Sequence, residues 1–394
     1  MRRKSMIKEK NKKAKKDEKT KKRGTVIIVS LVLIFAVCAA LFYAVPTIMS
    51  LKRDNISESG DITSLSGGDD ALLFSVDSGE IRDITPLSGG GFITTSNSLI
   101  SIKKDGGIID ITKTGYSSPV TKTAGKYYIV FERSTGKYSI MNKNGTVFSS
   151  QLDGEIINAD IAQNGNYLIM SRKTLSSSLV TVYSKKNEIL FQWECNDSYL
   201  TNCAIAPRGK KIAVVSFDVN GGEQTSKILT FTTKSVDVER EIDCGSDTVC
   251  AMKFLSGDSI GIVTDKRYII ANIQSGEEKE ISYEYDVISG SAFGENSNAA
   301  VLKSEFGSLD KSTLSLYNKS AEEIFSCKIN EKVIDFCFDK SFVYVMTACK
   351  ITVYSVAKGE VYSEVETAGG LKYMSVISGR IFCSSDTGLY KYDR

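Results

Sequence analysis

Histidine is absent from all 394 residues. That removes Ser-His-Asp and Cys-His catalysis, histidine-ligated haem and the usual catalytic zinc sites. Proline is scarce, with four residues, and tryptophan occurs once. The single tryptophan, Trp193, is followed by Glu194. There is no P-loop, no glycine-rich dinucleotide turn after a strand and no complete EF-hand loop, which leaves nucleotide and calcium chemistry without support. No cofactor is expected. What remains abundant is 31 glycines, 18 tyrosines and many Ser, Thr, Val and Ile, a composition suited to strands joined by tight turns.

Charge is distributed unevenly. Residues 1–23 hold thirteen Lys and Arg against three acids, whereas the remainder carries 37 basic and 44 acidic residues. From Gly24 to Leu51 no charged residue occurs. That stretch supplies about 20 consecutive mostly apolar positions, enough for one helix to cross a hydrocarbon core of roughly 30 Å. The apolar region is longer than that of a cleaved signal peptide, and Cys38, preceded by Phe-Ala-Val, reads as a small membrane-buried residue. Thirteen positive charges before the span against Lys52 and Arg53 after it place the amino terminus in the cytoplasm. The expectation is a single-pass protein of the cell membrane, its basic tail (1–23) touching anionic headgroups, its span at 24–49 and its large domain outside. A lysine run without aromatics gives no stacking platform, so no nucleic-acid partner is expected.

Residues 50–70, rich in Ser, Gly and Asp, read as a flexible tether, with the folded body at 71–394. In that body, strand-like segments ending in a polar turn recur eight times. Their last strand residues are Ile102, Met141, Tyr183, Thr232, Asn272, Tyr317, Tyr354 and Tyr392. The mean spacing of about 41 residues suits a four-stranded propeller blade. Each unit carries an upstream strand pair split by a Gly, Asn or Asp turn, and apolar residues on both faces of many strands suit sheets covered on both sides. The eighth unit stops after three strands, while the strand-like segment 71–77 has no hairpin partner of its own. The expected fold is therefore an all-β, eight-bladed propeller, with seven blades as the alternative, in which the amino-terminal strand closes the last blade. These repeats resemble the WD40-like propeller superfamily. Tail, span and ring together are similar in layout to single-span extracytoplasmic propellers of clostridial Gram-positive bacteria, a group without an assigned function, so the resemblance implies a fold and no site residues.

Chemistry-bearing features are few. Asp386-Thr387-Gly388 matches the aspartic-protease triplet, but it fills a turn and has no second copy. Eight cysteines follow the apolar run, and three local pairs, Cys195 with Cys203, Cys244 with Cys250 and Cys327 with Cys337, join the end of one unit to the start of the next. Bridges there would staple blades if the Cα atoms came within about 7 Å, and the competing reading is buried thiols packed as small hydrophobes. No metal site is expected. The longest internal connections, around 172–178, 218–227 and 304–312, crowd one rim. They supply Arg172, Lys173, Asp218, Asn220, Glu223, Glu305, Phe306 and Asp310, to which the interblade stretches add Asp197, Tyr199, Tyr283, Tyr285 and Asp286. With the chain entering residue 71 from the opposite face, this rim is expected to point away from the membrane. The expected function is a non-enzymatic scaffold that binds an envelope protein or polymer. The alternative is a carboxylate-based glycan hydrolase or lyase using Asp218, Glu223, Glu305 or Asp310, which needs no histidine.

Overall fold

The computed structural model describes residues 62–63, 71–76, 80–133, 135–173, 177–283, 287–294, 297–304, 310–386 and 388–394. The basic tail and the apolar run, and with them the expected membrane span, lie outside the described residues. Among the described residues no helix is long and apolar enough to cross a membrane.

Eight antiparallel sheets follow one another along the chain. Blade 1 is Ile81–Leu87, Gly90–Thr95, Ser98–Lys103 and Ile108–Lys113, and the same up-and-down order recurs through blade 7, which ends at Glu360–Glu366. The first strands of neighbouring blades touch in cyclic order, from Ile81–Leu87 round to Tyr373–Ile377 and back to Ile81–Leu87. This is a closed eight-bladed β-propeller, and the repeat spacing predicts it because each unit of about 41 residues is one four-stranded sheet that cannot cover its own faces.

Closure is made as expected. Leu72–Val76 pairs with Gly388–Tyr392, in the register Leu72 to Tyr390, Phe74 to Leu389 and Ser75 to Gly388. The pairing places Phe74 and Val76 in one apolar cluster with Ile377, Phe382 and Leu389 of blade 8 and Ile81, Ile93 and Ile100 of blade 1. The last residue reaches onto blade 7, where the Arg394 guanidinium lies 4.1 Å from the Phe342 ring centre and donates to the Tyr344 hydroxyl at 3.2 Å. One feature was not foreseen. Ile62 and Thr63, inside the stretch read as a tether, pair with Val76 and Ser75 and make a fifth strand. Ile62 therefore sits at the end of the closing strand where the chain passes into blade 1, not at the far end where residue 71 enters.

Blades pack on each other through large side chains that no single blade could bury. Aromatic contacts bridge blades 1 and 2 (Phe92 to Tyr128, 4.9 Å), 2 and 3 (Tyr138 to Tyr167, 5.9 Å) and 3 and 4 (Trp193 to Phe231, 4.8 Å). They continue between blades 5 and 6 (Tyr268 to Tyr317, 5.5 Å) and 6 and 7 (Phe325 to Tyr354, 6.1 Å). Such pairs add about 0.5–1.5 kcal/mol each beyond the area they bury.

Of the two readings of the cysteines the structure has the packed thiols: none of the three possible bridges is present, and the eight cysteines among the described residues are free. Cys195 and Cys327 lie on outermost strands, Ile189–Cys195 and Glu323–Ile329, whereas Cys203 and Cys337 lie on the innermost strands of the next blades. Three strand spacings of about 4.8 Å separate the periphery of a sheet from its inner edge, too far for an S–S bond. Cys244 is buried while Cys250 is exposed and bonds through its thiol to the Thr248 carbonyl. Burial pushes the thiols of Cys203, Cys244 and Cys383 up, as for small packed hydrophobes.

If closure holds the ring together, Phe74→Ala should cost about 3–5 kcal/mol in denaturant unfolding. A loss below about 1 kcal/mol would show that the amino-terminal strand is dispensable.

Candidate functional site

The connections between second and third strands, and those from one blade to the next, open on one rim. The two other connection types open on the opposite rim, where blades 4 and 5 are tied by Lys211 to Asp258 (2.8 Å) and by Arg240 to the Ile273 carbonyl (2.7 Å). The first rim holds most of the residues anticipated as a site, but not in the expected form.

The stretch around 218–227 was expected as a long loop and is strand. Lys211–Asn220 and Glu223–Thr232 pair over their whole length and turn at Gly221-Gly222, with φ of 62° and 89°. Two glycines at positive φ make the two-residue turn whose twist matches a hairpin. Each strand is ten residues, against six for the second strands of blades 3 and 5. Three of the extra residues, 218–220, lie on this rim and extend about 10 Å. Ladder pairing of Tyr199–Ile205 with this hairpin ends at Phe217, and that of Arg240–Asp243 ends at Lys227, after which Ser226 still exchanges backbone bonds with Cys244 and Gly245 and the Gln224 amide donates to Ser246 and Thr248; the tip beyond, 218–225, is a two-stranded arm whose 218–220 edge has no strand partner among the described residues. Tyr199 and Val219 are 65% and 55% exposed beside it. Asp218 accepts the neighbouring Val219 N–H, and Asp197 and Glu223 are exposed. Asn220 ends the first strand of the arm.

The other anticipated residues scatter. Arg172 pairs with Glu155 at 3.7 Å and Lys173 with Glu194 at 2.7 Å, so both are held within blade 3. Tyr283 does not line the rim: it is 2% exposed in the core between blades 5 and 6, its ring near the Lys303 ammonium and its hydroxyl without a partner among the described residues. Its aromatic character, read as recognition, serves packing. Asp310 is exposed at the start of the third strand of blade 6. Glu305, Phe306, Tyr285 and Asp286 lie outside the described residues. Asp386 occupies a turn and pairs with Lys372, as the turn reading of that triplet requires.

A cavity of about 320 Å³ opens on the same rim between blades 6 and 7, lined among others by Ser289, Ser304, Ser312, Lys332, Asp335 and Phe336. None of these was legible as a site, because they come from four segments that only the stacking of two blades brings together. A second cavity of about 320 Å³ lies between blades 1 and 2, with Lys113, Lys137 and a hydroxyl chain from Tyr116 through Ser139 to Ser149, each link 2.8 Å. Among the described residues lining the first cavity the one acid is Asp335, whose carboxyl accepts the Met374 N–H of blade 8, whereas two-acid hydrolysis needs a facing pair.

Asp335 has a second task. First strands are inner sheet edges, and their outward N–H groups lack a strand partner. Asp160 accepts the Ile205 N–H of the next blade at 2.9 Å, Asp335 accepts Met374 N–H at 2.7 Å, and Asn158 donates to Asn202 at 3.0 Å. Burial pushes the Asp160 carboxyl up, with the ammonium groups of Lys122 and Lys253 pulling the other way. Burial likewise pushes Asp335 up to about 6, opposed by its two backbone N–H donors and reinforced by Asp83. A carboxyl whose pKa is higher in the native than in the unfolded chain binds its proton more tightly when folded. Its contribution is therefore complete below about 3.8, the ordinary value, and lost as pH rises through about 6. The native chain should gain stability relative to Asp335→Asn between pH 7 and pH 5, by about 1 kcal/mol or more in paired denaturant titrations. An unchanged difference between the two pH values would contradict this assignment.

Comparison with known proteins bears on the fold. The ring is similar to BamB from Moraxella catarrhalis, at 13% identity over 84% of this chain and 100% of that one, with a TM-score of 0.51. It is similar to Sqt1 from Saccharomyces cerevisiae, at 11% identity over 84% of this chain and 99% of that one (TM-score 0.56). It also resembles Kuenenia stuttgartiensis hydrazine synthase, at 10% identity over 77% of this chain and 100% of that one (TM-score 0.51). At such identities the likeness is one of fold alone. No curated protein sequence matches the chain. A family model matches residues 76–384, from the end of the closing strand to the second strand of the last blade, and by that match the chain belongs to DUF5711, a family of unknown function.

Proposed function

We propose that this protein is a membrane-anchored, extracytoplasmic scaffold that presents the rim carrying the 218–225 arm to another protein or polymer of the cell envelope. The observation that carries the reading is the arm. A hairpin whose tip stands about 10 Å beyond the ladder of its first strand, with one edge unpaired among the described residues and Tyr199 and Val219 exposed, contributes little to its own blade. Exposed strand edges of this kind are a liability that proteins otherwise cover, twist away or charge. Asp197, Asp218 and Glu223 keep the arm soluble and bias it toward a partner with basic side chains, through attraction that speeds encounter. Anchoring rests on the sequence: thirteen cationic residues followed by an uncharged apolar run suit one span, with the basic tail against anionic lipid.

The reading is testable in intact cells. Protease added outside should digest the propeller, and a photo-crosslinking residue at position 219 should give a discrete adduct. The same residue at Val238, exposed on the opposite rim, should give none. Protection of the propeller from external protease would end the envelope assignment, and absence of adducts at 199, 219 and 223 alike would end the role of the arm.

A further inference from the structure

Each blade turns a strand edge outward, and the outer strands differ in how that edge is built. In blades 1, 2, 3, 6 and 7 the outer strand carries one residue that the third strand does not pair: Ile109, Val147, Leu190, Ile324 and Tyr362. In blade 8, Leu73 is passed over in the same way, in the part of the closing strand that Ile62 and Thr63 leave uncovered. Such a β-bulge bends the strand and breaks the regular row of its outward N–H and C=O groups. The first five of these side chains are 38–58% exposed, so each also stands as an obstacle at the bend.

The outer strands of blades 4 and 5 pair without a bulge and carry charge instead. Arg240–Asp243 has three charged residues in four and Glu278–Ser282 three in five. No bulged strand exceeds three in seven, and Gly145–Gln151 and Leu72–Val76 have none. Bulges and charges are alternative ways of blunting an edge, and here one stands where the other is missing. Turn geometry does not account for the pattern, since the turn between last paired residues is two residues in blade 2 and five in blade 1, and both blades carry the bulge. The arm is blunted by a third means. The Ser226 N–H leaves the hairpin for the Gly245 carbonyl, and inward and outward groups alternate along a ladder, so Val219, two residues past Ser226's partner Phe217, also points its N–H outward. That N–H is the one donor the 218–220 edge presents, and the Asp218 carboxylate accepts it at 2.8 Å.

We propose that the outer edges of the ring and the free edge of the arm are closed to strand addition, so that copies of this chain do not pair edge to edge and the arm engages its partner through the Tyr199 and Val219 side chains. Strand addition draws its affinity from main-chain hydrogen bonds and needs a straight row of free donors and acceptors, which neither a bulged strand nor the arm offers. The partner is then a folded protein surface able to bury Tyr199 and Val219, and not an extended peptide. The part that concerns the partner rests on the scaffold reading; the part that concerns the ring does not.

The test compares the full chain in detergent with three variants. Deletion of Leu190 removes an unpaired residue and leaves the pairs Tyr183 to Ile189 and Val182 to Phe191 in register. Glu278→Thr with Lys279→Thr discharges the blade 5 edge, and Asp218→Ala frees the Val219 N–H; all three positions are exposed, so these two variants keep the test alive if the deletion does not fold. In sedimentation the native chain should be a single ring, and each folded variant should self-associate about ten-fold more tightly or better, with amide exchange slowed along the altered edge. Association of the native chain through those edges would overturn the proposal for the ring, and so would folded variants that all stay single rings. For the partner, the crosslinking residue is placed at 223 in intact cells. Tyr199→Ser with Val219→Ser should lower the adduct about ten-fold, because side chains carry the contact; an undiminished adduct would mean that the backbone carries it and would overturn this part. Absence of any adduct from the native chain would end the scaffold reading while the sedimentation result stood by itself.

Discussion

The structure depends on satisfying sheet edges. Eight separate four-stranded sheets have sixteen edges between them, each a row of N–H and C=O groups without a strand partner. Stacking the blades in a circle buries the sheet faces, but it does nothing for the gap where the chain begins and ends. Pairing of Leu72–Val76 with Gly388–Tyr392 fills that gap, and it joins residues more than three hundred positions apart. Phe74 and Val76 then lock blade 8 to blade 1 through a shared apolar cluster, so closure is as much a matter of burial as of hydrogen bonding.

The inner edges are managed by side chains. Asp160 and Asp335 each accept an N–H from the next blade's first strand, which converts an unpaired row into a stitched one. The cost is a carboxylate in a poorly solvated place, and the raised pKa of Asp335 measures that cost. The same residue then lines the cavity between blades 6 and 7, because the first strand of a blade borders both the centre of the ring and the cleft to its neighbour.

The reading proposed for one rim rests on what projects from it: the hairpin of blade 4 outruns its neighbours, and the clefts between blades 1 and 2 and between 6 and 7 open as cavities. Both rims are tied by ion pairs, Lys211 to Asp258 on one and Arg267 to Asp247 on the other, so the ring is held at both ends and variation is left to the connections.

Repeat spacing, strand content, the count of eight and the closing strand were legible in the chain, because each blade is built from contacts between near neighbours in sequence. The absence of histidine and the charge asymmetry of the first 51 residues were equally plain. The arm was misread as a loop because its Gly-Gly turn was not weighed against the strand pattern of Phe217 and Val219. Tyr283 was misassigned because an aromatic residue between blades looks the same whether it faces solvent or the next sheet. Which thiols lie close, which tyrosines stack and which serines line a cavity depend on side chains from different blades. Those are decided only when sheets that are independent along the chain are pressed face to face.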